Sequence, residues 1–140
     1  MPLAFFPMQL GHVFDLNVHT DGRGNLAVIE SSIDIPFEFK RIYYLYGVPD
    51  IQSRGAHAHR NLEQVAIAIS GSFEIVLDDG ETTMMIVLNN PNKALYIPKM
   101  CWRVLQNFSA EAVCLVIASE HYNEDDYFRN YEDFKSALNV

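Results

Sequence analysis

Apolar and polar residues alternate in short runs along most of the chain, the period of a β-strand whose successive side chains point to opposite faces. Such runs predict strands at Leu26–Glu30, Phe37–Tyr46, Ala56–His59, Gln64–Ser70, Ser72–Leu77, Thr82–Leu88, Ala94–Ile97, Trp102–Asn107 and Val113–Ala118. They are rich in Val, Ile, Tyr and Phe, which fit a pleated, half-buried surface. Turn formers separate them: Asp21-Gly22, Pro49-Asp50, Ser70-Gly71, Asp78-Asp79-Gly80 and Asn89-Asn90-Pro91. The Asp79-Gly80 pair suits a tight hairpin, where positive φ is needed. Many short strands with regular turns predict an antiparallel sandwich or barrel.

The period changes near the end. Asn123 reads as an N-cap, and Glu124, Asp125 and Asp126 would place acids at the positive end of a helix. Tyr127, Tyr131, Phe134 and Leu138 then recur at helical spacing, giving an aromatic face for packing against the barrel or a subunit. No Pro/Gly/Ser-rich linker, low-complexity run or repeat interrupts the sequence. The expected architecture is one all-β domain over residues 1–140 with one C-terminal α-helix.

Composition narrows the function. With 49% hydrophobic and 12% aromatic residues over 140 positions, the chain can bury a substantial core. A formal net charge of −8 argues against nucleic acid or an anionic membrane as a bulk partner. The cations are unevenly placed, however. Arg23, Lys40, Arg41, Arg54 and Arg60 fall early in the chain while acids crowd the tail from Glu120, which leaves room for a local cationic pocket and an anionic small ligand. Cys101 and Cys114 lack CxxC spacing and make a weak case for a disulfide. No run of 18 apolar residues exists, and the apolar N-terminus lacks a basic region and a cleavage site. The expectation is a soluble, cytoplasmic protein.

The candidate chemistry lies in Arg54-Gly55-Ala56-His57-Ala58-His59. Histidines at i and i+2 on a strand share a face, and the interleaved alanines keep the other face small. Histidine titrates near neutrality, so a pocket holding the pair would suit proton transfer; the bland alternative is a hydrogen-bonded core pair. Moving hydrogen between carbons needs a C–H next to a carbonyl and a donor for the enediolate that forms. Arg23, Arg54 and Tyr43 or Tyr44 could supply one, with only one of the two tyrosines pointing inward on a strand. His12, His19 and His121 are read as surface or structural residues.

The spacing around these residues resembles the two motifs of the cupin jelly roll. In the first motif His57 and His59 fill the histidine positions, Gln64 stands at the glutamate, Gly71 at the closing glycine, and Ile51 replaces the opening one. In the second, Pro98, Arg103 and Asn107 stand at the proline, histidine and asparagine, while Asn92 and Met100 replace glycines. The metal-binding pattern of the family needs three histidines and a glutamate. An arginine cannot be a ligand, and a divalent cation beside it would be repelled by several kcal/mol, roughly. Glu63 would face away if Gln64 faces inward. Metal dependence is therefore disfavoured, and no cofactor is expected.

The likeness extends to a narrower family, the dTDP-sugar 3,4-ketoisomerases. It is carried by Asp21-Gly22-Arg23-Gly24 with LAVIE, Lys40-Arg41-Ile42-Tyr43-Tyr44, RGAHAHRNLEQ, the LDDG turn, Trp102, Asn107-Phe108-Ser109 and ASEHYNEDDYFRNYEDF, roughly residues 12 to 136. The resemblance implies isomerisation of dTDP-4-keto-6-deoxyglucose to a 3-keto sugar without metal, toward 3-amino-3,6-dideoxyhexoses of surface glycans. It also implies His57 and His59 as the catalytic pair, and a homodimer with exchanged N-terminal strands. Arg23, Arg41, Tyr43, Arg54, Gln64, Trp102 and Arg103 are the candidate substrate-binding residues. Trp102 could stack on thymine or serve the core, and Arg103 could contact the substrate or form a structural salt bridge. His59 is favoured as the base at C3 with His57 as relay, although the sequence does not separate them. The Arg23-Gly24 pair resembles family members that give the galacto product. A 3,5-epimerase, which would need a His–Asp dyad not visible in the sequence spacing, a metal-dependent cupin and a silent sugar-binding cupin are the alternatives.

Overall fold

The computed structural model describes residues 10–49 and 52–139. The strands, in chain order, are β1 (His12–Asp15), β2 (Asn17–Asp21), β3 (Gly24–Val28), β4 (Arg41–Tyr46), β5 (Arg54–His59) and β6 (Gln64–Ser70). There follow β7 (Phe73–Asp78), β8 (Thr83–Leu88), β9 (Lys93–Ile97), β10 (Trp102–Gln106), β11 (Val113–Ala118) and the two-residue β12 (Tyr127–Phe128), and the chain ends on helix α1 (Tyr131–Leu138). One five-stranded sheet has the order β1-β9-β6-β11-β4, the other β12-β5-β10-β7-β8, and β2 and β3 form a separate hairpin. Every pairing is antiparallel. This is the antiparallel sandwich expected from the alternation, in the jelly-roll form that the cupin resemblance implies.

All nine expected strands are present, Gln64–Ser70 and Val113–Ala118 with the expected bounds and the others with shifted ends. The Phe37–Tyr46 run begins only at Arg41, because Ile35 and Phe37 cross the outer face of the first sheet instead of joining it. Strands β1, β2 and β12 were not foreseen. β1 and β2 are mostly exposed and so carry little apolar alternation, and β12 is two residues long. Ile51 and the Pro49-Asp50 turn involve positions outside the described residues.

Central strand β6 shows how the sandwich is built. Ala66 and Ala68 face the interior with Phe73, Ile75, Leu77 and Leu95, while Val65 and Ile67 face outward beneath Leu16, Ile35 and Phe37. A strand covered on both faces reads as a continuous apolar run, as Val65-Ala66-Ile67-Ala68-Ile69 does. Gly71 follows it with φ 65, and a Cβ there would meet the Ser109 hydroxyl oxygen at 2.3 Å and the Ala112 backbone at 2.8 Å. That crowding accounts for the one motif glycine this chain keeps.

The tail corrects the sequence reading. Asn123 does act as an N-cap, accepting from the Asp125 amide, but of a 3-10 turn over Glu124–Asp126. The chain then extends, Tyr127 pairing with His59 and Phe128 with Ala58, and the α-helix starts afresh at Tyr131 under its own cap, Asn130. Tyr127 therefore lies on a strand, since backbone pairing to the β5 edge outweighs its place in the helical stripe. Phe134 is the buried anchor of α1, packed with Phe128 and Ala58 on the outer face of β5, where Met100, Trp102 and Tyr131 flank it.

Candidate active site

Strand β5 carries the site on one face and α1 on the other. Ala58 points outward to the helix, and the flanking His57 and His59 point inward, their ring centroids 4.7 Å apart and edge to face. A bulge aims them. Arg103 pairs with His57 and Leu105 with Arg54, so β5 spends one residue more than β10 between those pairs, and Gly55 takes it up with φ 68. The Met100 amide donates to the His59 carbonyl at 2.8 Å, and Met100, at a motif glycine position, has φ 56.

His57 lines a cavity of about 540 Å³ together with Arg41, Tyr43, Arg54, Gln64 and Arg103. Six of the nine residues proposed from the sequence thus meet in one space. His59 lies directly behind His57, wholly buried. Two are elsewhere. Trp102 is adjacent to Arg103 on β10, and alternation turns it outward, where it meets Tyr131 edge to face at 5.3 Å. It is half-buried there against the Phe128 and Phe134 cluster. Arg23 sits on the β2–β3 hairpin with an exposed side chain, paired with Asp21 at 2.7 Å. Tyr43 points into the cavity while Tyr44 on the same strand is exposed, and Glu63 turns away to accept from the Tyr96 hydroxyl at 2.5 Å.

Across the floor runs a chain of polar contacts. Arg103 donates from Nη1 to the Gln64 side-chain oxygen and from Nη2 to the Cys101 carbonyl at 2.9 Å, and Gln64 donates in turn to the Tyr43 hydroxyl at 3.1 Å. Arg103 is 1% exposed, and among the described residues no carboxylate lies within ion-pair distance of it. The structural salt bridge weighed from the sequence is therefore not formed among the described residues. A buried guanidinium held only by neutral oxygens retains its attraction for an anion.

The electrostatics keep both imidazoles neutral. Burial, then the Arg103 charge and the neighbouring imidazole, bring His57 down to about 2. Burial, Arg103 and Arg41 bring His59 down to about 3. Burial raises Tyr43, so its hydroxyl remains a donor at neutral pH. His57 Nε2, His59 Nε2 and Arg41 Nε and Nη2 are buried without partners among the described residues. The four positions matching metal ligands in the cupin pattern hold two imidazoles, an amide and a cation bound to that amide. This donor set does not fit a divalent metal, and among the described residues no group of three or more His, Cys, Asp or Glu could hold one.

The extended tail supplies groups that sequence reasoning missed. Tyr127 packs on both imidazoles, with centroids 5.0 Å from His57 and 4.3 Å from His59. Arg129 lies over the Tyr127 ring and pairs with Glu124, and Tyr122, Tyr127 and Arg129 complete one wall of the cavity. Asp126 Oδ2 is 3.1 Å from His59 Nδ1, so a His–Asp dyad does exist, its partners 67 positions apart. Two Asn caps seven residues apart were the signal that two short elements, with a strand between them, replace one long helix.

Comparison with known proteins places these features. The WxcM-like, C-terminal family (FdtA) matches residues 10–139. The TDP-4-oxo-6-deoxy-alpha-D-glucose-3,4-oxoisomerase of Aneurinibacillus thermoaerophilus is 42% identical over 118 residues, covering 84% of this chain and 85% of that protein. A 3,4-ketoisomerase from Helicobacter canadensis superposes with a TM-score of 0.90 at 46% identity, over 93% of this chain and 98% of that one. A histidine-to-asparagine variant of the 3,4-ketoisomerase QdtA from Thermoanaerobacterium thermosaccharolyticum, solved with TDP-4-keto-6-deoxyglucose, superposes at 0.90 with 37% identity, over 94% and 95% of the two chains. With its jelly roll, its paired histidines and these relatives, the chain belongs to the TDP-sugar 3,4-ketoisomerase family of isomerases.

Proposed function

We propose that this chain converts TDP-4-keto-6-deoxyglucose into a 3-keto-6-deoxyhexose by proton transfer through an enediol, without a metal. The observation that carries the reading is a neutral histidine pair beside a guanidinium-lined cavity. Moving the ketone relocates two protons, one from C3 to C4 and one from O3 to O4, with no net oxidation. Removing the C3 proton leaves a C3–C4 double bond and a negative charge on O4. Arg103 and the Tyr43 hydroxyl are the donors available to that oxyanion. We assign His57, which lines the cavity, as the base that meets the C3–H, and His59 behind it as the group that handles the second proton, the reverse of the order favoured from sequence.

An imidazole held near 2 is a weak base, and the substrate itself corrects this. A diphosphate entering beside Arg41 and Arg54 offsets the field of the guanidinium groups and raises the imidazoles' affinity for a proton. The unpartnered Arg41 nitrogens suit it as the principal diphosphate contact. The product we assign is the galacto isomer, on the Arg23-Gly24 likeness, consumed by an aminotransferase toward 3-amino-3,6-dideoxy sugars of a surface glycan. We further assign a homodimer, which would cover Ile42, Tyr44 and Tyr46 on edge strand β4, each more than half exposed. The His59–Asp126 dyad favours one second reading, epimerisation of a nucleotide sugar.

NMR of the product from purified protein and TDP-4-keto-6-deoxyglucose tests these together. The expected result is a 3-keto sugar with the small H4–H5 coupling of an axial hydroxyl. A large coupling would reassign C4 as gluco, inversion at C5 with the ketone still at C4 would establish the epimerase, and unchanged substrate would refute both.

A further inference from the structure

Asp126 lies outside the cavity that His57 lines, yet its carboxylate is tied to the backbone of the β5–β6 connection and to His59. Its Oδ1 accepts from the Asn61 amide at 2.8 Å, and its Oδ2 accepts from the Leu62 amide at 3.3 Å and meets His59 Nδ1 at 3.1 Å. The backbone is pinned as well: the Asp126 amide donates to the Asn123 carbonyl at 3.0 Å, the Arg60 amide donates to the Asp126 carbonyl at 2.9 Å, and the next residue pairs with His59 itself. Two backbone N–H groups and one imidazole nitrogen therefore converge on one carboxylate, and among the described residues the imidazole is its only side-chain partner.

We infer that Asp126 is a positioning residue for the reaction, fixing His59 with its proton on Nδ1 so that Nε2 is the basic nitrogen inside the site. This rests on the ketoisomerase reading above. A neutral imidazole has one N–H, and an ionised carboxylate can only accept. The other tautomer would set the Nδ1 lone pair against the Asp126 oxygen at 3.1 Å, while Nε2–H would be buried with no acceptor among the described residues. With the proton on Nδ1, Asp126 is satisfied and Nε2 is left as a proton acceptor in a ring with no exposed surface. Tyr127, packed 4.3 Å from the His59 ring, holds it against reorientation.

Asp126→Asn is the test. An asparagine with its oxygen at the Oδ1 place keeps the Asn61 amide, and its NH2 at the Oδ2 place donates to His59 Nδ1, which moves the imidazole proton to Nε2 and gives up only the longer 3.3 Å contact from the Leu62 amide. The expected result is a fall in kcat of about 10²-fold or more, as when a base is held in the wrong tautomer, with KM and affinity for TDP within a few-fold. The His59 15N resonances should exchange their protonated and unprotonated positions. Asp125→Asn removes an exposed charge from the same turn and should leave kcat unchanged. Full kcat in Asp126→Asn, or a wild-type His59 that carries its proton on Nε2, would overturn the inference. If Asp126→Asn does not fold, the wild-type 15N spectrum decides alone, Nδ1–H supporting the assignment and Nε2–H refuting it. A wild type that does not turn over TDP-4-keto-6-deoxyglucose refutes the function; an active wild type matched by an equally active variant refutes only this role of Asp126.

Discussion

The interior of this sandwich has two ends made from the same strands. At one, Phe73, Leu88, Phe108 and Ala112 fill the space between the sheets with apolar side chains. At the other, His57, His59, Gln64 and Arg103 are equally buried but polar, and Nε2 of each imidazole lacks a partner among the described residues. Strand β10 joins the two: Arg103 and, two residues on, Leu105 both line the cavity, and Leu105 also packs into the apolar core. The apolar end holds the fold together through area removed from water. The polar end costs stability, because unsatisfied buried groups and an unpaired cation are destabilising. Substitutions at the two ends should therefore separate activity from stability.

The largest separation is expected from His57→Asn. Loss of a general base lowers turnover by roughly 10²–10⁴-fold, and removing a desolvated imidazole should leave the melting temperature level or higher. A folded variant that keeps most of its kcat would assign the base elsewhere. Phe73→Ala acts oppositely. It should cost about 3–5 kcal/mol in chemical denaturation, with kcat per folded molecule nearly unchanged. A comparable loss of kcat would mean that the ends are mechanically coupled.

Arg103→Met sharpens the contrast at one position. Leaving the Gln64 oxygen and the Cys101 carbonyl without their donor costs about 1–3 kcal/mol, and relief of a buried cation offsets much of it. Stability should fall by less than in Phe73→Ala, while kcat/KM drops about 10²-fold through loss of oxyanion stabilisation. A variant as unstable as Phe73→Ala would make Arg103 a structural residue.

The smallest effect is in the pH dependence of stability. Both histidines are pulled below their ordinary 6.5, to about 2 and about 3, so the unfolded chain binds protons that the folded one does not. Their contribution to stability is complete above 6.5 and is lost progressively as pH falls toward those values. The melting temperature should decline through that range, and His57→Asn should make the decline shallower. Identical slopes in the two proteins would contradict a neutral His57.

Much of this was legible in the sequence because it depends on alternation. Period two gave nine strands, placed His57 and His59 on one face, turned Glu63 from Gln64 and set Tyr43 against Tyr44. The same rule, applied to the adjacent Trp102 and Arg103, would have excluded the tryptophan from the cavity once Arg103 faced it. What escaped depends on long-range pairing. The Tyr127-Phe128 strand exists only because the β5 edge is there to receive it, and the contact of Asp126 with His59 spans 67 positions, so no local pattern reports it.

The central claim is that the ketone moves by proton transfer on the histidine pair. The most direct measurement is turnover of TDP-4-keto-6-deoxyglucose in D2O after exhaustive chelation, with the product read by NMR. The account predicts full activity and a 3-keto sugar carrying solvent deuterium at C4. Activity lost on chelation and restored by one metal, or a product with no solvent deuterium at C4, would contradict it.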